Sequence, residues 1–354
     1  VLEVKCVNPE KTFKRYARQL ALPDFGMEDQ KTLLNARVLI VGMGALGCVI
    51  AKYLSGAGVG TLGLMDDDIV SKSNLHRQIL YTEKDIGMLK IEAAKAWLGA
   101  QNRDVKINIY NRRFDFETGR VLINDYDVVV SSVDNFPGRY ALSDACLMQN
   151  KPLVHGSVHQ YEGEAGMFNL NSSSPCYRCT YPLPSIDIQN CSEAGVLGPV
   201  AGMVGCLQSM LVLDILTKES LESKLMRFDL KTFDLKTFQL QRTSDCACYS
   251  NDEVINIQVA YMDVAELESA LSKNPNSYQL IDVRTESKNL PEALKQANHM
   301  PLKDIEQLAS SLDQGLPTVT FCDRGRKSYF AACLLKKLGF KYVYFSRAIY
   351  RNPN

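Results

Sequence analysis

The chain has 354 residues, 46% of them hydrophobic and 23% charged, enough for two domains with cores of their own. Its 40 basic and 40 acidic residues cancel, which argues against a nucleic-acid-binding tract or a polybasic membrane anchor. It has eleven cysteines, and its first twenty residues lack a charged segment leading into an apolar run, so a cytoplasmic chain is expected, its thiols serving metal binding and chemistry rather than disulfides.

Residues 29–36 read as a polar lead-in. Arg37–Val41 reads as a buried parallel strand, Gly42-Met-Gly-Ala-Leu-Gly47 as a glycine turn, and residues 48–57 as a helix. Thr61–Met65 is a second strand, ending in Asp66-Asp67-Asp68. A helix over 88–98 and strands over 105–110 and 127–132 follow. This alternation predicts a Rossmann-like α/β domain with a mostly parallel sheet. The uncharged run 194–213, with Gly198-x-x-x-Gly202, is long enough to cross a membrane. Pro199, Gln208 and Ser209 interrupt it, and we read it as a buried core helix. Residues 225–241 alternate apolar and polar and predict a hairpin or short strands. A polar junction places the domain boundary near Asn251, giving domains 1–250 and 251–354. The second, smaller domain repeats an α/β pattern: helices over 264–271, 305–312 and 328–338, and strands over 279–283, 318–321 and 342–345.

Gly42-x-Gly44-x-x-Gly47 between a strand and a helix lets backbone approach phosphate at a helix N-terminus. Asp66, about 20 residues on, can accept hydrogen bonds from ribose hydroxyls. Alone, this fingerprint means a dinucleotide. No Gly-x-x-x-x-Gly-Lys-[Ser/Thr] loop is present, which excludes a P-loop ATPase. Asn74, Arg77 and Lys90 come next, and fixed cations suit a triphosphate, although a solvated polar loop would look the same. Asp134 ends a strand where α/β folds place ligands, and could hold Mg²⁺ or cap a helix.

Arg15-Tyr16-Ala-Arg18-Gln19, the glycine turn, Asp66-x-Asp68, Ser73-Asn74-Leu75-x-Arg77-Gln78, Gly87-x-x-Lys90 and Asp134-Asn135 together resemble the adenylation domain of the molybdopterin-synthase and thiamine-biosynthesis adenylyltransferases. These are relatives of ubiquitin-activating enzymes. The resemblance implies that Asp66 binds ribose, that Asn74, Arg77 and Lys90 handle the phosphates of ATP, and that Asp134 holds Mg²⁺. It also implies a homodimer in which Arg18 reaches the partner's nucleotide. Arg139 and Leu142-Ser143 depart mildly from the family's Arg and Leu-Asn. In such a site a carrier's C-terminal carboxylate attacks the α-phosphorus; the nucleophile is already ionised, so no side-chain base is required.

Cys176-Tyr-Arg-Cys179 has zinc-knuckle spacing. The second pair, Cys246-Ala-Cys248, is one residue shorter than the family's, yet thiolates at i and i+2 of an extended strand can share one ion. A zinc site built from these four cysteines is expected; a redox Cys-x-x-Cys is the lesser alternative. Cys191 lies in a glycine-containing polar segment, and in sulfur-transferring members the matching cysteine links covalently to the carrier. Cys6, Cys48, Cys146, Cys206 and Cys333 lie in apolar or terminal contexts and read as inert.

Leu280-Ile-Asp282-Val-Arg284 and Cys322-Asp-Arg-Gly-Arg-Lys-Ser328 resemble a rhodanese domain. A cysteine between strand and helix sits among N–H groups and cations, which favours a persulfide. Asp323 beside the cysteine, whose charge would oppose a thiolate, Asn298-His-Met-Pro301 and Arg347-Ala348 depart from that family's pattern. The whole chain thus resembles a fused adenylyltransferase–sulfurtransferase. It would act on a ubiquitin-like sulfur carrier ending in Gly-Gly, with a cysteine desulfurase or other persulfide donor. Two rival readings are an adenylyltransferase whose rhodanese-like part only binds the carrier, and an NAD-binding oxidoreductase.

Overall fold

The computed structural model describes residues 14–183, 195–244, 246, 248, 257–286, 290, 294–323 and 325–347. The chain divides into two units, each built on its own sheet. Asn251, the expected boundary, lies outside the described residues.

The first unit begins with α1 (Met27–Asn35), β1 (Arg37–Val41), α2 (Ala45–Ala57), β2 (Thr61–Met65), α3 (Lys90–Gln101) and β3 (Lys106–Tyr110). It continues with α4 (Phe116–Ile123), β4 (Val128–Ser131), α5 (Phe136–Met148), β5 (Leu153–His159), β6 (Glu162–Phe168) and the single turn α6 (Tyr177–Thr180). A long helix α7 (Gly198–Thr217) and the strands β7 (Lys224–Asp229) and β8 (Asp234–Gln239) complete it. The strands form one eight-stranded sheet in the order β3-β2-β1-β4-β5-β6-β7-β8. The first five run parallel; β6, β7 and β8 are antiparallel. Strands β1, β2 and β4 are nearly continuous apolar runs because helices cover both faces. Their Val38, Ile40, Leu62, Leu64, Val128 and Val130 share one core with Ile50 and Leu54 of α2 and Ile91 of α3.

The expected lead-in over 29–36 is a helix. Its inward face is partly polar, which hides the apolar period: buried Gln30 accepts from Gln19 at 2.9 Å and donates to the Ala57 carbonyl at 3.0 Å. Helix α2 starts three residues earlier than expected, because Gly44 already serves as its N-cap. Helix α4 was not anticipated, although Asp115 announces it by accepting from the Thr118 N–H at 2.9 Å. The uncharged run forms α7, with Pro199 in its first turn and Val200, Ala201, Val204, Leu211 and Val212 buried. This face packs on α2, β5 and β6, as a core helix does, although length and apolarity alone would let it cross a membrane. The predicted hairpin is β7–β8.

In the second unit, β9 (Ala260–Tyr261), β10 (Gln279–Asp282), β11 (Asn298–His299), β12 (Thr318–Cys322) and β13 (Val343–Arg347) form a parallel sheet in the order β11-β10-β12-β13-β9. Helices α8 (Val264–Lys273), α9 (Ile305–Leu308) and α10 (Arg326–Lys337) accompany it. Leu267, Leu271, Leu280, Val319 and Phe321 make its core. The expected helix over 305–312 is one α-turn continued as a 3-10 turn over Ala309–Ser311.

Candidate functional site

The strand order reverses between β1 and β4, so the loops leaving their C-terminal ends diverge and open a crevice. Gly42, Gly44 and Gly47 lie there. Gly42 has φ +95°, and a Cβ on it would stand 2.7 Å from the Ser132 carbonyl oxygen. A Cβ on Gly47 would stand 2.1 Å from the Gly42 carbonyl oxygen. The glycines therefore set the close path of the loop into α2, whose free N–H groups face the crevice.

Asp66 is bound into this loop. Its carboxylate accepts from the Met43 N–H at 2.6 Å and from the Asp68 N–H at 2.8 Å. Tyr81, which sequence reading missed, donates to the Met43 carbonyl at 2.9 Å from the far side. Lys90, 6% exposed, donates to Asp68 at 2.5 Å, so the family's cation stands fixed at the end of β2. Burial would raise Asp68, but the Lys90 hydrogen bond and charge outweigh it and hold the carboxyl below its ordinary range. Asn74 closes a 3-10 turn, and its carbonyl accepts from the N–H groups of Arg77 and Gln78. Arg77 is tied back to the Ser73 carbonyl at 2.9 Å and to the His76 ring at 2.7 Å.

Gln78 is 4% exposed, its amide nitrogen is the nearest atom to a Cβ built on Gly44, and its Oε1 meets no partner among the described residues. The Oγ atoms of Ser131 and Ser132, at the end of β4, are likewise buried without partners there. Unpartnered buried polar atoms are rare unless a ligand completes them. Their placement at the β1/β4 crevice fits a nucleotide. The two serines were not expected from sequence; the signal was a strand ending in Ser-Ser immediately before Asp134. Asp134 itself is exposed just past β4, two residues ahead of α5. Arg18 is exposed, on a segment anchored by buried Tyr16, whose hydroxyl accepts from Asn102 at 3.0 Å.

The sulfurs of Cys176, Cys179, Cys246 and Cys248 all lie within 4.8 Å of one another. Thr243, just ahead of the second pair, donates to the Cys179 carbonyl at 3.2 Å and so holds that segment beside the first pair. Four mutually close, partly buried thiols could hold a metal ion and match the donor set that zinc takes, so the shortened second pair does not spoil the cluster. Cys191 and Cys6 lie outside the described residues. Of the cysteines read as inert, Cys48 is buried, and burial pushes its thiol up to about 12. Cys146 and Cys333 are buried too, whereas Cys206 is exposed on α7.

Cys322 is the last residue of β12 rather than a loop residue, and it is 3% exposed. Its Sγ accepts from the Ser328 N–H at 3.3 Å, in the first turn of α10, and lies 3.5 Å from the Ser328 hydroxyl. Ser328 is fixed in turn by the Ser346 carbonyl at 2.8 Å. Asp323, whose charge was expected to oppose a thiolate, is engaged instead: Arg284 donates to it at 3.3 Å. Arg284 also grips buried Asp282 with two hydrogen bonds of 2.9 and 2.8 Å.

These features define a two-unit α/β protein: a glycine-loop crevice, a four-thiol cluster, and a sheet that presents a single cysteine to a helix N-terminus. The chain belongs to the ThiF family, which matches residues 16–249, and a Rhodanese-like domain matches residues 263–347. It is 35% identical over 327 residues to the "Adenylyltransferase and sulfurtransferase MOCS3" of Dictyostelium discoideum, covering 84% of this chain and 77% of that one. It is 36% identical over 361 residues to the protein of the same name from Caenorhabditis briggsae, covering 92% and 90%. Among solved structures it resembles E. coli MccB with ATP, at TM-score 0.55 and 22% identity over 62% of this chain and 68% of that one. It also resembles PaaA, at TM-score 0.57 and 24% identity over 68% and 77%. These structural likenesses concern the fold.

Proposed function

We propose that this chain uses ATP to adenylate the C-terminal glycine of a ubiquitin-like sulfur carrier, and then sulfurates that carrier from a persulfide on Cys322. The observation that carries the first half is the glycine loop at the β1/β4 crevice, with Lys90 fixed on Asp68 and with unpartnered buried polar atoms on Gln78, Ser131 and Ser132. An NAD-binding oxidoreductase would not need the cations at Arg77 and Lys90.

In this reading Asp66 orients the ribose, and Asn74, Arg77, Gln78 and Lys90 place the phosphates. Arg18 serves the partner's site in a homodimer. Asp134 would hold Mg²⁺, which neutralises phosphate charge when bound. The carrier's carboxylate attacks the α-phosphorus, pyrophosphate leaves, and the chain's work is alignment and charge balance. The Cys322 persulfide, loaded by a cysteine desulfurase or similar donor, then attacks the acyl carbon. A carbon–sulfur bond forms and AMP leaves with the electrons of the broken carbon–oxygen bond. A second thiol, from Cys191 or from solution, attacks Cys322 Sγ and expels the thiocarboxylate. An external dithiol reduces the disulfide that remains. We place this chemistry in the cytoplasm, where thiols stay reduced.

The test is carrier-dependent ATP–pyrophosphate exchange with ubiquitin-like proteins ending in Gly-Gly. Exchange with at least one carrier is expected; tight ATP binding with no exchange on any would remove the carrier from the reading. Asp134→Ala should lower exchange by about a hundredfold or more, and unchanged pyrophosphate release would remove Asp134 from the site.

The four-thiol cluster carries zinc in this reading. Metal analysis of the purified chain should give about one zinc per chain. Cys176→Ser should lose that zinc and lower the thermal midpoint, since structural zinc contributes folding free energy. A metal-free protein with an unshifted midpoint would reduce the cluster to packed thiols.

A further inference from the structure

Residues in register on neighbouring parallel strands project to the same face of a sheet. Cys322, ending β12, is in register with Arg347, ending β13. Their face is the one α10 covers: two residues back, Thr320 donates to the Ser328 carbonyl at 2.7 Å and Phe345 packs on Tyr329 with ring centroids 5.0 Å apart. The Arg347 side chain runs over Gly325, the N-cap of α10, where φ is +80°. A Cβ on Gly325 would fall 2.7 Å from Arg347 Cγ and 2.9 Å from its Nε. The cysteine, the start of α10 and the stem of this arginine therefore share one corner.

Within that corner Arg347 Nε is buried and meets no hydrogen-bond acceptor among the described residues. A buried guanidinium N–H left without an acceptor is costly, and its cost is removed when an anion arrives. Several of the surrounding charges, among the described residues, are engaged elsewhere. Arg284 holds Asp282 and Asp323, and the His299 ring meets the Arg284 carbonyl at 3.0 Å. Lys327 donates to the Thr285 hydroxyl at 2.8 Å, and Arg326 opens α10 beside it. Arg347 forms no ion pair with a described residue.

We infer that Arg347 binds the outer sulfur of the Cys322 persulfide, supplying the charge-assisted hydrogen bond that the Asp323 side of the loop does not. The inference rests on the sulfurtransferase reading of Cys322. In loading, Cys322 thiolate attacks the outer sulfur of a donor persulfide. The new sulfur–sulfur bond forms as the donor's breaks, and the donor leaves as its thiolate. Once the transferred sulfur gives up its proton to water, it carries a negative charge that the Arg347 N–H can meet, while the Ser328 N–H holds the inner sulfur.

The test uses the full chain, cysteine persulfide as donor, and mass spectrometry of the Cys322 peptide from about pH 5.5 to 9. Arg347→Gln should slow loading at neutral pH by about tenfold or more and move the midpoint of the pH profile upward. Arg347→Lys should recover part of both, which a space-filling role would not predict. Thermal unfolding checks that each variant is folded, and the Lys variant decides the matter if the Gln variant is not. Wild-type rate and midpoint in Arg347→Gln would overturn the inference, as would equal slowing in both variants with an unmoved midpoint. A wild-type chain that takes up no sulfur at Cys322 would instead overturn the sulfurtransferase reading beneath it.

Discussion

Cys322→Ala should retain carrier-dependent ATP–pyrophosphate exchange within about twofold, because additivity is expected for sites with no shared partners, and should form no thiocarboxylate at all. The reason lies in the thiol's surroundings. Cys322 is buried at the end of the central region of its sheet, and its sulfur accepts from the Ser328 N–H at 3.3 Å. That N–H belongs to the first turn of a twelve-residue helix, where unpaired backbone donors favour negative charge. Removing one sulfur atom from a core position costs about 1 kcal/mol, a fraction of a domain's stability, so the folded chain should persist. Intact thiocarboxylation in Cys322→Ala would remove this residue from sulfur transfer and leave the second unit as a binding module for the carrier. Loss of exchange together with thiocarboxylate would show that the substitution damages more than the sulfur site.

Legibility of the fold followed the kind of burial each element has. Strands β1, β2 and β4 are buried on both faces and announce themselves as apolar runs, and β12 does the same around Val319 and Phe321. Helix α1 buries a glutamine that satisfies itself on backbone, so its period is invisible in a hydropathy pattern. The glycine turn, Asp66 and Lys90 could be placed in one crevice from motif spacing alone. That Asp66 would spend one carboxylate oxygen on the loop and the other on the Asp68 N–H could not, because the first depends on the Met43 N–H reaching it from the glycine turn. Asp323 is the sharper case. Adjacency along the chain set its charge against the thiol, whereas the fold brings Arg284 from the end of β10 to meet it. Ser131, Ser132 and Arg347 were invisible as site residues for the same reason: their interest lies in which partners the fold withholds from them, and sequence neighbours do not report that.

Gly47→Ala should lower adenylation by about a hundredfold or more while leaving sulfur loading of Cys322 in place. A methyl group there would stand 2.1 Å from the Gly42 carbonyl oxygen and 3.1 Å from its carbon. Both are backbone atoms of the same tight loop, so no side-chain rotation can relieve the overlap. Either Gly42 moves, and its own approach to Ser132 at the end of β4 is lost, or α2 shifts away from β1. Each route displaces the N–H groups that would meet phosphate, and a displacement near 1 Å costs about a hundredfold in rate when catalysis is positional. Overpacking of this kind also costs about 1–3 kcal/mol of stability, which thermal unfolding would register as a lowered midpoint with cooperativity retained. Gly99→Ala is the matched control. It lies in α3, a Cβ there meets nothing within 4 Å, and the same chemical change should leave exchange untouched and favour the helix slightly. ATP–pyrophosphate exchange near the wild-type rate in Gly47→Ala would mean that the triphosphate does not rest on this loop, and the nucleotide would have to be sought away from the β1/β4 crevice.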